Sequence, residues 1–222
     1  MQEILPGIVR WERPIALGIP AASLWIQTAQ GPVVVDPLIP RDGLDQIEAL
    51  GVPRALVLTN HAHERDVAAF EARFGARRHV NALPEARASR PGVRFRAGAP
   101  LLDAFRTIDL GAVGAGETAL FLSRDGGTLI VGDALFNLDV GLSPLTWLLP
   151  LMLPYGPPQP HPAWLSLRPR ESRRQLSALF DLAFENLIPS HGAPIIGGAH
   201  ARVVAALDAA RRAHPFLVAG TS

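Results

Sequence analysis

The stretch Leu58-Thr-Asn-His61-Ala-His63-Glu-Arg65-Asp66 governs the reading of the rest of this chain. It follows the apolar run Ala55–Leu58. It precedes Val67, Phe70 and Phe74, which share one face of a helix that Gly75 stops. Strand, polar turn and helix make a βα unit. The polar residues therefore sit at the C-terminal edge of a strand, where α/β sheets favour ligands. In an extended segment residues i and i+2 point the same way. His61 and His63 are thus expected to aim at one point, about 2.0–2.1 Å from a zinc-like ion. A His-x-His pair is equally compatible with two surface histidines on a polar turn.

Upstream, short apolar runs alternate with turn residues. Ile4–Trp11, Ile15–Ile19, Leu24–Thr28 and Val33–Val35 read as strands of an antiparallel meander, broken at Pro14, Gly18–Pro20 and Gly31–Pro32. Leu44, Ile47 and Leu50 have helical spacing. Downstream, strands are expected at His79–Asn81, Val93–Arg96 and Phe105–Leu110. Thr118–Leu122 and Thr128–Val131 form a hairpin across Arg124-Asp125-Gly126-Gly127. A helix is expected around Leu176, Leu179 and Phe180, a strand at Leu187–Ile188, and a last helix through Val203, Val204, Leu207 and Ala210.

Two more strand ends carry polar residues. Thr128-Leu-Ile-Val-Gly132-Asp133 ends an apolar strand on a carboxylate, and Leu187-Ile-Pro-Ser-His191-Gly192 ends one on an imidazole. Taken singly, Asp133 reads as a helix cap and His191 as a loop histidine. Three strand ends bearing His/His, Asp and His in one chain point together to a single polar site.

Composition narrows the chemistry. The 222 residues are 48% hydrophobic and 18% charged, which suits one packed domain and not a disordered chain. Cysteine is absent, so thiol nucleophiles, disulfides and Cys-ligated zinc are excluded. Every basic side chain is Arg, which excludes lysine Schiff-base chemistry. The net charge is +1 and no basic run exceeds a pair, so no nucleic-acid partner is expected. The most apolar stretch, Leu142–Tyr155, is broken by Pro144, Pro150 and Pro154 and is too short to span a membrane. No signal peptide is evident at the N-terminus, and a cytoplasmic location is expected.

The order strand–HxH–helix, then strand–GD, then strand–SHG resembles the metallo-β-lactamase superfamily, over about Leu24 to Pro194. Val33-Val-Val-Asp36-Pro is similar to that family's strand–Asp element. Gly111–Leu122 is similar to the segment carrying its third histidine, whose position falls on or beside Val113. The resemblance implies an α/β (α+β) four-layer αββα sandwich with metal ions at one edge of the sheets. It implies a single domain over 1–222, with a Pro-rich apolar insertion at 137–169. The pattern departs from the family's His-x-His-x-Asp-His at two places: Arg65 stands for the carboxylate and Asp66 for the last histidine.

These departures favour one metal over two. A dication about 4 Å from a guanidinium, at an effective dielectric of about 20, is repelled by roughly 8 kcal/mol. If Arg65 points inward it takes the second metal's place, pairs with Asp133 or grips a substrate anion. If it points away, Asp66 becomes a candidate oxygen ligand. The expected metal ligands are His61, His63, Asp133 and His191, with Arg65 for substrate binding and Asp66 as the catalytic base ahead of Glu64. Glu117 lies near the site in the family pattern and receives no role. The expected cofactor is one divalent metal, zinc before iron or manganese. The expected reaction is hydrolysis of a small-molecule ester, thioester or lactone. The alternative is a metal-free, non-catalytic binding protein. Redox chemistry at a di-iron site needs more ligands than the sequence offers. The apolar 137–169 segment is expected to form a lid or a homodimer contact.

Overall fold

In the computed structural model, residues 1–15, 20–82, 92–110, 116–137 and 176–213 are described. The first four strands run back and forth: β1 (Gln2–Leu5), β2 (Ile8–Pro14), β3 (Pro20–Ile26) and β4 (Val33–Val35), each antiparallel to the last. The expected strand Ile4–Trp11 is two strands, because Gly7 at φ 67° turns the chain between them. Helix α1 (Asp45–Leu50) then opens a crossover to β5 (Ala55–Val57), parallel to β4. Helix α2 (Val67–Phe74) ends at Gly75 in the left-handed region and leads to β6 (Arg77–Asn81). Strand β7 (Val93–Phe95) closes a sheet whose order follows the sequence, β1 to β7.

The second sheet is built from β8 (Pro100–Leu101), β9 (Phe105–Asp109), β10 (Thr118–Leu122), β11 (Thr128–Val131), β12 (Asn186–Pro189) and β13 (Ile195–Ile196). Its order is β13-β12-β11-β10-β9-β8, with β11 and β12 parallel. Helix α3 (Ala199–Ala213) follows. Where the periodicity suggests a helix around Leu176–Phe180, Leu176 is helical and the 3-10 turn Ser177–Leu179 follows it, with Leu176 and Leu179 buried. Val113, residues 16–19 and the 138–169 part of the expected insertion lie outside the described residues, and with them the expected lid or dimer contact.

The all-apolar strands are explained by burial on both faces. Leu24 and Ile26, Val33 and Val35, and Ala55 and Val57 meet Leu120, Leu122, Ile130 and Ile188 between the sheets. The alternate residues Trp25, Val34 and Leu56 face Ile47 of α1 and Val67 and Phe70 of α2. On the far side, Ala119, Leu129, Val131 and Leu187 pack on Ala199, Val203 and Leu207 of α3. Period-two side chains on two sheets and helices on the two outer faces give four layers, αββα. Among the described residues no helix is long and apolar enough to cross a membrane.

Candidate functional site

Parallel pairing aligns the C-terminal ends of β4 and β5 in one sheet and of β11 and β12 in the other. The residues just past those ends are Asp36, Thr59-Asn60, Gly132-Asp133 and Ser190-His191. The backbone bonds Ala22 N–H to Ser190 O (2.7 Å) and Thr118 N–H to Thr59 O (2.8 Å) stitch the sheets together there. Four strand ends thus supply side chains to one volume.

One potential ligand atom each from His63, Asp133 and His191 lies within 4.8 Å of the others. Asp133 Oδ1 is 3.2 Å from His63 Nε2 and 3.1 Å from His191 Nε2. The far nitrogen of each ring is also held. His63 Nδ1 is 2.9 Å from Asp36 Oδ2, and His191 Nδ1 donates to Pro20 O at 2.8 Å. Asp36 is itself anchored by Thr59, whose amide donates to Oδ1 (2.9 Å) and whose hydroxyl donates to Oδ2 (2.7 Å). Asp36 adopts φ 49°, a backbone strain that these bonds maintain. The imidazoles are almost closed off, at 6% exposure each, while Asp133 at 18% faces outward, so access is from its side.

Charge follows from this arrangement. Burial pushes His63 toward neutrality, but Asp36 and Asp133 outweigh it and raise its pKa to about 10. Burial likewise pushes Asp36 and Asp133 up. The His63 cation holds Asp36 below the ordinary carboxylate value, and hydrogen bonds from His191 and His63 do the same for Asp133.

The other expected site residues are placed elsewhere. His61–Glu64 is a 3-10 turn and not an extended segment. At three residues per turn, i and i+2 lie about 240° apart around the axis. His63 therefore enters the cluster, while His61 turns out and its Nε2 meets Asn81 O at 2.9 Å. Arg65, at φ 35°, donates from Nη1 to Ala22 O (2.8 Å) and Asp36 O (3.3 Å), and from Nη2 to Ser190 Oγ (2.9 Å). It braces the junction of the two sheets instead of bonding Asp133. Burial lowers its pKa, with Asp36 and Asp133 working against that shift. Asp66 accepts from Ile39 N–H (2.7 Å) and Arg13 Nη1 (3.2 Å), so its carboxylate caps a loop outside the cluster. Glu64 pairs with Arg78 at 2.9 Å.

Two residues without an expected role reach the site. Glu117, fully buried, accepts from the backbone N–H groups of Gly132 (2.6 Å), Asp133 (3.2 Å) and Ala134 (3.4 Å). Asn60 Nδ2 donates to Glu117 Oε2 (3.0 Å) and Asp133 Oδ2 (3.1 Å). Burial first, and the Asp133 charge second, push Glu117 up to about 7. The hairpin gave a usable signal. With Leu120 opposite Ile130, the residue before β10 must lie beside the residues after β11.

A cavity of about 460 Å³ has Pro20, whose carbonyl accepts from His191 Nδ1, in its lining, while His63, Asp133 and His191 do not line it. Trp11, Pro14, Pro20 and Pro40 give it apolar wall, and Arg13, Arg41 and Asp42 give it charge.

The donor set fits one divalent ion. Two imidazoles and a carboxylate converge, with each ring's other nitrogen fixed by an acceptor, as metal-ligating histidines require. Among the described residues no donors for a second ion join it: His61 turns away, and the Arg65 cation interacts with the carboxylates of Asp36 and Asp133.

No protein-family model matches the sequence, and no curated protein does. Solved structures do match. A metallo-β-lactamase family protein from Thermus thermophilus is 19% identical, with a TM-score of 0.64 over 96% of this chain and 81% of that one. A protein solved in a di-iron-bound form is 23% identical, with a TM-score of 0.59 over 86% of this chain and 98% of that one. The DIM-1 metallo-β-lactamase is 13% identical, with a TM-score of 0.63 over 96% of each chain. The expected fold is thus shown: this chain has the metallo-β-lactamase superfamily fold.

Proposed function

We propose that this metallo-β-lactamase-fold chain is a metal-dependent hydrolase with a mononuclear site at His63, Asp133 and His191, acting on an ester, thioester or lactone. The observation that carries the proposal is the convergence of His63 Nε2, His191 Nε2 and Asp133 Oδ1, with the outer nitrogen of each ring held by Asp36 or Pro20 O. Zinc suits this donor set best, and iron or manganese also takes such ligands. When bound, the ion supplies Lewis acidity toward water and the substrate carbonyl.

The chain's own groups do the rest. Asp36 accepts the Nδ1 proton of His63, so the inward Nε2 is the nitrogen that would give up its proton to a bound metal. Pro20 O does the same for His191. Asp133 divides its oxygens, with Oδ1 toward the imidazoles and Oδ2 toward Asn60.

One observation favours the metal-free alternative. His63 already bridges Asp36 and Asp133, so the two carboxylates have a cation without any metal. Elemental analysis of chelator-free protein separates the two. About one equivalent of zinc, iron or manganese supports the proposal, and less than about a tenth of an equivalent refutes it. Hydrolysis of chromogenic esters, thioesters and lactones must then depend on that metal and vanish in His63→Ala.

A further inference from the structure

Glu117 is a fully buried carboxylate whose partners, among the described residues, are four N–H groups. Three are the successive backbone amides of Gly132, Asp133 and Ala134, a concave nest of the kind that binds anions. The fourth is the Asn60 side chain. Burying a carboxylate without an ion pair is costly, so the site gains something that an apolar residue would not provide.

The Asn60 amide shows what is gained. Its Oδ1 accepts from Ala62 N–H at 2.9 Å, capping the turn that carries His63. That fixes which end of the amide faces inward. Nδ2 then lies 3.0 Å from Glu117 Oε2, 3.1 Å from Asp133 Oδ2 and 3.5 Å from His63 Nε2. The packing admits no spare atom. A Cβ on Gly132 would collide with Thr59 Oγ1, and would lie 2.8 Å from Glu117 Oε2 and 3.0 Å from Asn60 Nδ2. Gly132 does not have a positive φ, so its glycine answers to this crowding and not to backbone conformation.

We infer that Glu117 and Asn60 are positioning residues: Glu117 fixes the backbone of the Asp133 turn, and Asn60 holds Asp133 Oδ2 so that Oδ1 faces the two imidazoles. Neither residue is a ligand in this arrangement. The clamp restrains the carboxylate at both its backbone and its free oxygen. The inference deepens the mononuclear reading and rests on it for its functional meaning, although the clamp itself stands without metal.

The test uses the full chain with Glu117→Gln and Asn60→Ser, and Glu48→Gln on exposed α1 as control. Asn60→Ser retains a side-chain oxygen to cap Ala62 and loses only the inward amide, so it covers the case in which Glu117→Gln fails to fold. The first readout is the ring 15N–1H correlation spectrum of the metal-free protein. The His63 and His191 signals are expected to shift in both site variants and not in the control. The second is zinc affinity by chelator competition, with a loss of about tenfold or more expected, the range for removing support behind a metal ligand. Ring signals that stay in place in a folded variant overturn the inference, as does zinc affinity held within about twofold in a chain whose wild type binds zinc. If the wild type binds no metal, the mononuclear reading fails, and the ring spectra still decide whether the clamp exists.

Discussion

Replacing Arg65 with Leu tests whether this residue is a brace between the sheets. Its guanidinium makes two short bonds, to Ala22 O on β3 and Ser190 Oγ after β12, and a longer one to Asp36 O. Asp36 O keeps a second donor in Ser23 Oγ, so that bond is the least costly to lose. A bond from a charged donor contributes about 1.5–3 kcal/mol, which puts the two short ones at about 3–6 kcal/mol. The guanidinium's recovered desolvation offsets about 1–2 kcal/mol of this. The net loss is about 1–5 kcal/mol, centred near 3, large beside a total stability of about 5–15 kcal/mol. Urea titration reads it directly. With a slope of about 2–3 kcal/mol per molar, the midpoint falls by about 1 M and the slope stays constant. Ser190→Ala shares the contact, so the double variant must lose less than the sum of the singles. The same Arg65→Leu change removes a positive charge that acts on Asp36 and Asp133, so zinc affinity rises while stability falls. A midpoint loss worth under about 1 kcal/mol, or additive singles, would refute the brace.

Three further outcomes follow from the geometry. His61→Ala keeps zinc affinity within about threefold, whereas His63→Ala and His191→Ala each lose about a hundredfold or more; calorimetric titration of the three variants checks this, and equal losses would return His61 to the ligand set. The metal-free protein's stability depends on pH in a way that Asp36→Asn alters. Asp36 is depressed below 3.8, so its contribution is present above that value and lost as pH falls through its folded pKa. His63 is raised from 6.5 to about 10, so its contribution is complete below 6.5 and lost as pH rises through about 10. Asp36→Asn shrinks both slopes in urea midpoints measured across pH, and unchanged slopes would contradict the pairing. Gly132→Ala forces a methyl against Thr59, Glu117 and Asn60 and costs about 2 kcal/mol or more in thermal or urea unfolding; a neutral substitution would mean that the site yields more easily than its contacts imply.

Much of the fold was legible because strand patterning is local. Val33–Val35 and Ala55–Leu58 carry only apolar side chains, the signature of strands buried on both faces, and β4 and β5 lie there. The helix of Val67, Phe70 and Phe74 and its Gly75 stop were equally visible. Of the helix expected near Leu176, the described residues hold its helical Leu176 and the 3-10 turn Ser177–Leu179 that follows, and the residues before Leu176 lie outside them. The short strands β8 and β13, of two residues each, carry too little pattern to be read in advance.

Local pattern was enough to identify which strand ends bear polar residues: His63 after β5, Asp133 after β11 and His191 after β12. Composition was enough to exclude cysteine and lysine chemistry. Which side chains face the centre emerged only in three dimensions. One 3-10 turn sends His61 to Asn81 and His63 into the site, a separation that a two-residue spacing cannot reveal. Antiparallel pairing of β10 with β11 carries Glu117 to the Asp133 turn across sixteen positions of sequence. Arg65 is oriented by carbonyls and a hydroxyl from strands on both sheets. The cause is the same in each case: the partner that fixes the side chain is distant in sequence, and its position exists only once the sheets have paired and packed.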